Sequence, residues 1–489
     1  MDTVTVANRF FCRFCPLKPQ RMKGVMMNTD IKVKKFAGIE VAPDLSRKNF
    51  FFLYLNTLFI GMLVVLLSLI QPAFLKDVIT VSPDFFGFTN AFLQNMSQIA
   101  TLIFVAAIGV LSDKIGRKVL AVIGFGVLCL FYYLYGQSNE ISAALSISEG
   151  FSAKICALLS FAPSRAAEFT DFAPGLLTAY LIRFVIGIGF ILCFPQFITM
   201  VADYTREKDR GKGMAFNGIM MGLASIIIFA AVAPIGRKIG VGGLFVFASV
   251  LAFVGMVSTW VFLKERLPEI KPGEKKDFKH LFPLVMKSPT IKASYLCCLV
   301  GRADINVMAT FVVAWAVQRG AALGLTSEAA TMKGAVPMIV MGVVSFAAFP
   351  IIGNLLDRWG RIPTIIVTLF CSGAGLMLLN ICSGPFSGLM YVGASLVGVG
   401  ISGTVAGANT LATDASPKAM VGTVLGGLNT MQPLGMLFFL QLGGYLYDVL
   451  GPGWAFGIKG VVDILLAVWL FVNRKKIYAE MQSVKNPVV

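Results

Sequence analysis

Charge is scarce in this 489-residue sequence: Asp, Glu, Lys and Arg make up 14% of it, against roughly 25% in a soluble globular domain. So few charged side chains do not cover a water-facing surface around a core of this size, which excludes a large soluble protein. Histidine is almost missing. His280 stands alone, far from the one Cys-x-x-Cys pair, Cys12 and Cys15, and that pair has no second cysteine pair to complete it. No metal site is expected, and the two N-terminal cysteines read as an inert tail. The nine cysteines are spread through apolar segments, so no disulfide framework is implied. A phosphate-cradling Gly-x-x-x-x-Gly-Lys-[Ser/Thr] loop and a nucleophile beside a positioned base are also lacking. Without them, neither bound cofactor nor enzymatic chemistry is expected. The segment before residue 50 is basic and has no apolar stretch ending in a small-residue cleavage site, so no removable signal peptide is expected.

Apolar length is abundant. Hydrophobic residues reach 57% and the mean hydropathy is +0.79. Runs near the roughly 20 residues that cross a bilayer fall at 50–74, 87–111, 119–136, 174–201, 214–234 and 244–263, and then at 293–317, 334–352, 362–382, 389–412, 421–447 and 454–472. The expected fold is an all-α membrane protein of twelve transmembrane helices in two pseudo-symmetric six-helix bundles. Its parts are a tail (1–49), a first bundle (50–263), a linker (264–292), a second bundle (293–472) and a second tail (473–489). The lipid bilayer is its solvent, and a monomer is expected.

The net charge of +17 does not indicate nucleic-acid binding, because the basic residues sit in short loops between apolar runs. Of the 42 lysines and arginines, 32 lie in the tails, the linker and the loops on their side, 7 lie in the opposite loops, and Arg183, Arg302 and Lys459 lie inside apolar runs. Positive charge retained on the cytoplasmic side then places both termini and the linker in the cytoplasm, with the chain in the inner membrane.

A repeat divides the chain. Gly109-Val-Leu-Ser-Asp113-Lys-Ile-Gly116-Arg117 returns 244 residues later as Gly353-Asn-Leu-Leu-Asp357-Arg358-Trp-Gly360-Arg361. A second register, offset by 211, matches Gly187 and Gly189 with Gly398 and Gly400, and Asp203 and Gly211 with Asp414 and Gly422. The 33-residue difference falls in a long external loop, 137–173, that the second half lacks. Two like six-helix units in parallel orientation are an architecture of transporters.

These residues resemble the major facilitator superfamily. The first copy fits its Gly-x-Leu-x-Asp-[Arg/Lys]-x-Gly-Arg signature between helices two and three, the second copy fits the counterpart between helices eight and nine, and Arg183 with Gly187 and Gly189 fits its helix-four Arg-x-x-x-Gly-x-Gly pattern. The resemblance implies a twelve-helix carrier whose signature loops, at Gly109, Asp113, Gly116, Arg117, Gly353, Asp357, Arg358, Gly360 and Arg361, take part in gating, and it places Arg183 near proton coupling. Helix five, Gly218-Ile-Met-Met-Gly222, lacks the Gly-Pro element frequent in the superfamily's drug antiporters.

From the residues themselves, Gly109 and Gly116 are expected where backbones approach, and Asp113 is expected to latch with Arg117. Ionisable side chains at membrane depth cost about 2.5–3.5 kcal/mol on insertion scales and default to function. Arg302 and Asp304 lie about 200° apart around helix seven and cannot pair with each other. Arg302 is expected to meet an anionic group of a small-molecule substrate together with Asn306, Asn429, Gln432 and Gln94, and Asp304 to hold the coupling proton. Asn409 also belongs to the polar set, while Lys459 and Asp463, at i and i+4, are expected to neutralise each other structurally. The expected function is secondary active transport of a small solute, an organic anion or metal chelate, by proton-coupled alternating access. A drug or metabolite efflux antiporter and a non-transporting sensor or assembly factor are the rivals.

Overall fold

The computed structural model describes residues 35–36, 39–41, 44–205, 209–266, 281–416 and 420–485. Cys12, Cys15, His280 and most of the first tail and linker lie outside the described residues. Among the described residues, twelve helices are long and apolar enough to cross a membrane. Helices one to six are Arg47–Asp77, Pro83–Ile115, Arg117–Tyr135, Ala173–Tyr204, Lys212–Gly236 and Lys238–Phe262; seven to twelve are Pro289–Ala322, Ser327–Arg358, Arg361–Asn380, Gly388–Ala415, Thr423–Leu450 and Trp454–Gln482. Hydrocarbon offers no hydrogen bonds, so each span satisfies its backbone internally. Most helices run past the apolar stretches in the sequence because polar residues carry them out of the lipid. Helix one, for instance, starts on a reciprocal cap: Asn49 N–H donates to Ser46 Oγ at 3.3 Å and Ser46 N–H donates to Asn49 Oδ1 at 2.8 Å.

Several elements were not visible in hydropathy. The external stretch 137–173 is folded, with helices Ser138–Ala144 and Glu149–Leu159 and a tight turn of helix at Pro163–Phe169. Arg165 ties it down. Its guanidinium donates twice to Glu168 at 2.6 Å, reaches Asp84 at 3.3 Å, and lies 4.4 Å from the centre of the Phe85 ring. The hydrogen bonds from Arg165 hold the exposed Glu168 carboxyl below its usual range. Ahead of helix one, Lys35–Phe36 pairs with Ile39–Glu40 in a two-residue antiparallel ladder. Helix five passes into a π-helical turn at Ile228–Val232, and Gly240, at φ +69°, lies near the start of helix six.

The repeat has a backbone cause. Gly116 and Gly360 both sit at φ +103°, between helices two and three and between eight and nine, in the left-handed region that side chains avoid. Alanine at either place is expected to cost about 1–2 kcal/mol. The loss should be larger at Gly116, where an added Cβ would meet the Glu265 carboxylate; at Gly360 its nearest neighbour would be Pro363 Cδ at 3.7 Å. Thermal unfolding in detergent checks this, and equal midpoints for the two variants would contradict it. Gly109 is a correction: nothing lies within 4 Å of a Cβ built on it, so in this conformation no close backbone approach requires it, and its counterpart Gly353 is equally open.

Candidate solute site and gates

Hydrogen bonds between the two halves, among described residues, gather at the end remote from Gly116 and Gly360. Lys76 Nζ donates to Ser327 Oγ at 3.0 Å, and Ser327 Oγ donates to Asp77 Oδ1 at 2.8 Å, joining helix one to helix eight. Asn90 Nδ2 donates to the Thr310 carbonyl at 2.9 Å, and Asn95 Nδ2 to the Leu437 carbonyl at 3.1 Å and Gln441 Oε1 at 3.0 Å. Asp448, near the end of helix eleven, accepts the Gly87 and Phe88 amides at 2.7 and 2.8 Å, so a carboxylate sits on the N-terminus of helix two, where the helix dipole favours it. A Cβ at Gly87 would strike the Tyr447 ring and one at Gly444 would press on Ala91, so only glycine allows this crossing. The halves are therefore clasped at the Asp448 end.

The clasp is testable. Asp448→Asn is expected to weaken closure at this end by about 1–2 kcal/mol, roughly a 5–30-fold shift in the open-to-closed ratio. Distances between spin labels on helices two and eleven would lengthen, and an unchanged distribution would exclude the clasp.

At the other end each signature loop is held within its own half. Arg117 forms a close ion pair with Asp203 at the end of helix four, and Arg361 one with Asp414 at the end of helix ten. Asp113, expected as the partner of Arg117, does pair with it, at 3.6 Å and with a more than half exposed side chain, as a second and looser partner. Glu265, just after helix six, accepts the Arg117 and Lys118 amides at 3.0 and 2.8 Å, capping helix three. Asp203 and Asp414 were passed over as loop partners, although their 211-residue offset already marked them. Asp357 and Arg358 are exposed and form no ion pair among the described residues.

Helix seven breaks at its centre. Its first segment ends at Gly301, its second begins at Asp304, and Arg302 and Ala303 form the turn between them. This puts a cation on the C-terminal end of one segment and a carboxylate on the N-terminal end of the next, each matched to the local dipole. Arg302 points to helices ten and eleven. Nη2 donates to Asn409 Oδ1 at 2.9 Å, Nη1 to Gln432 Oε1 at 3.1 Å and Asn429 Oδ1 at 3.5 Å, and Nε is buried without a partner. Three neutral amides thus surround the guanidinium, and no described carboxylate lies within ion-pair distance. Asn429 is exposed, and Asn306, four residues after Arg302 on helix seven, is half-buried and does not hydrogen-bond into this group. Helix eleven bears Asn429 and Gln432 close to the break, because Gly435 lets its backbone run against the Leu299 carbonyl.

Gln94 is elsewhere. It accepts a close hydrogen bond from Arg183 Nη2 and donates to Ser68 Oγ at 2.6 Å, inside the first half. Arg183 is 4% exposed, also lacks a described carboxylate, and leaves Nε and Nη1 unpartnered. The structure thus brings Arg302, Asn409, Asn429 and Gln432 together and separates them from Gln94 and Arg183.

Asp304 turns away from the amides around Arg302. Its side chain turns into the interior of the second half, where it pairs closely with Lys459 of helix twelve and accepts from Ser372 Oγ of helix nine at 2.6 Å. Lys459 also pairs with Asp463, and all three residues are 0% exposed. Lys459 and Asp463 are not a self-contained pair, because the ammonium is shared between two carboxylates. Sequence could place these groups on their helices but not show that helices seven and twelve face each other here.

Twelve spans in two like halves, clasped at one end and carrying Arg183 and Arg302 within helices four and seven, define a multi-pass integral membrane transporter of a solute. The sequence profile of the Major Facilitator Superfamily matches residues 53–349 and 303–480, and the chain belongs to that family. It is similar to magnetosome protein MamH of Paramagnetospirillum magneticum, with 24% identity over 85% of this chain and 90% of that protein. Magnetosome protein MamZ of Magnetospirillum gryphiswaldense is 26% identical over 85% of this chain, which spans only 61% of MamZ. The inner membrane transport protein YajR of Escherichia coli is 27% identical over 76% of this chain and 71% of YajR. Among solved structures, the nucleoside transporter NupG shares the fold at a TM-score of 0.65, with 10% identity, over 86% of this chain and 98% of that one. A D-xylose-proton symporter does so at 0.62, with 16% identity, over 86% and 97%.

Proposed function

We propose that this protein carries a small anionic solute, an organic acid or a metal chelate, by proton-coupled alternating access between the two bundles, in the inner membrane with both termini cytoplasmic. The carrying observation is the pair of arginines, Arg302 and Arg183, each held by neutral amides with no described carboxylate within ion-pair distance. A cation removed from water is costly unless an anion or strong hydrogen bonding compensates it, and amide oxygens offset only part of that cost. A solute anion arriving at Arg302, with its unpartnered Nε and the exposed Asn429, completes what the protein leaves open. The charge asymmetry of the loops supports the orientation, and the clasp at the Asp448 end supports an inward-open state. A thermal-shift screen in detergent across organic acids, metal chelates, sugars and cationic dyes tests the reading. Stabilisation by anions is expected; stabilisation confined to cationic dyes would overturn it.

A further inference from the structure

The set Asp304, Lys459 and Asp463 lies apart from the amides around Arg302, and its charges do not balance. With both acids ionised, two carboxylates share one ammonium, for a formal charge of −1 at 0% exposure. Other groups facing it are uncharged: the Ser372 hydroxyl on helix nine, the Phe439 ring on helix eleven with its centre 5.1 Å from Lys459 Nζ, and Cys297 on helix seven. None supplies a second cation. An unbalanced buried charge costs several kcal/mol even after relaxation, and one proton removes it.

The two acids are not equivalent. Asp304 is compensated at both oxygens, by the ammonium at Oδ1 and the Ser372 hydroxyl at Oδ2. Asp463 meets the ammonium at Oδ1, its Oδ2 is buried and receives no hydrogen bond, and its carboxyl lies within hydrogen-bonding reach of Asp304.

We propose that this set is the transport proton's binding site: a proton from water is taken onto Asp463 Oδ2 as the set goes from −1 to neutral, and is returned to water on release. The inference rests on the proton-coupled reading above. It separates the proton site from the solute site and links them through helix seven, since Arg302 and Asp304 flank one turn and a rotation that carries Arg302 to a solute also moves Asp304 against Lys459. Lys459 then chooses between the two carboxylates, and that choice decides whether Asp463 keeps its proton.

Infrared difference spectra of the purified wild-type protein at neutral pH, recorded with hydrogen–deuterium exchange, read the proton directly. A protonated-carboxyl band is expected, and it is expected to vanish in both Asp463→Asn and Asp304→Asn, because either change leaves a balanced one-to-one pair with Lys459. Both variants should fold, since each leaves one carboxylate paired with one ammonium and the set formally neutral. In proteoliposomes, Asp463→Asn is expected to lose solute accumulation driven by a pH gradient. A band that persists in both variants, or accumulation that survives in Asp463→Asn, would overturn the assignment. If wild-type protein exchanges no solute, the transport reading fails, while the infrared result still decides whether the set holds a proton.

Discussion

Replacing Arg302 with glutamine is expected to leave a folded, membrane-inserted protein that no longer recognises its anion. The guanidinium is held by Asn409, Gln432 and Asn429, and a glutamine can still hydrogen-bond within that group, so the amides are not orphaned. What disappears is the charge. A hydrogen bond to a charged group contributes about 1.5–3 kcal/mol, which converts to roughly a 10–100-fold weaker solute affinity. Unliganded stability should hold or rise, because a half-buried cation without a counter-charge is a cost that the variant removes. Ligand-dependent thermal shift and direct binding on the same preparation separate the two effects. Wild-type affinity in Arg302→Gln would remove the arginine from recognition. Arg302→Lys should recover only part of the binding, since an ammonium on a flexible stem cannot reproduce the planar fork that meets three oxygens at once.

Reading twelve spans from the sequence succeeded because lipid imposes a single rule, a continuous apolar helix of sufficient length, and each run carries that rule alone. The repeat was readable for a similar local reason: Gly116 and Gly360 are fixed by a left-handed turn, a property of the backbone that needs no neighbour. Spacing also showed that Arg302 and Asp304 diverge. It did not show what each would meet. That depended on which helices pack side by side, and nothing within helix seven specifies that helices nine and twelve receive Asp304 while ten and eleven receive Arg302. Gln94 was grouped with the second-half amides because it is polar and membrane-embedded, yet helix two directs it to Arg183. The break at Arg302 escaped notice although Gly301 stands just before it, because hydropathy does not register one tight turn in a span of 34 residues. The folded external stretch was missed for the opposite reason. Its helices, 7 and 11 residues long, are too short for an apolar-run criterion.

Lys459→Met should be the most damaging single substitution in the second half. Methionine fills nearly the same space, so the cavity term is small and the effect is almost purely electrostatic. With the ammonium gone, Asp304 and Asp463 face one another across a fully buried pocket, supported only by the Ser372 hydroxyl. Removing one partner from a buried ion set costs about 3–5 kcal/mol, a large share of the stability of any domain. Folded yield and the thermal midpoint are both expected to fall sharply. Restoring charge balance is the decisive control. Adding Asp304→Asn and Asp463→Asn to Lys459→Met leaves a neutral pocket of unchanged volume, and such replacements are commonly neutral or stabilising. The triple variant should therefore regain the wild-type midpoint while remaining unable to couple a proton gradient to transport. A triple variant as unstable as Lys459→Met would show that shape, not charge, makes Lys459 indispensable, and the argument from unbalanced charge would have to be abandoned.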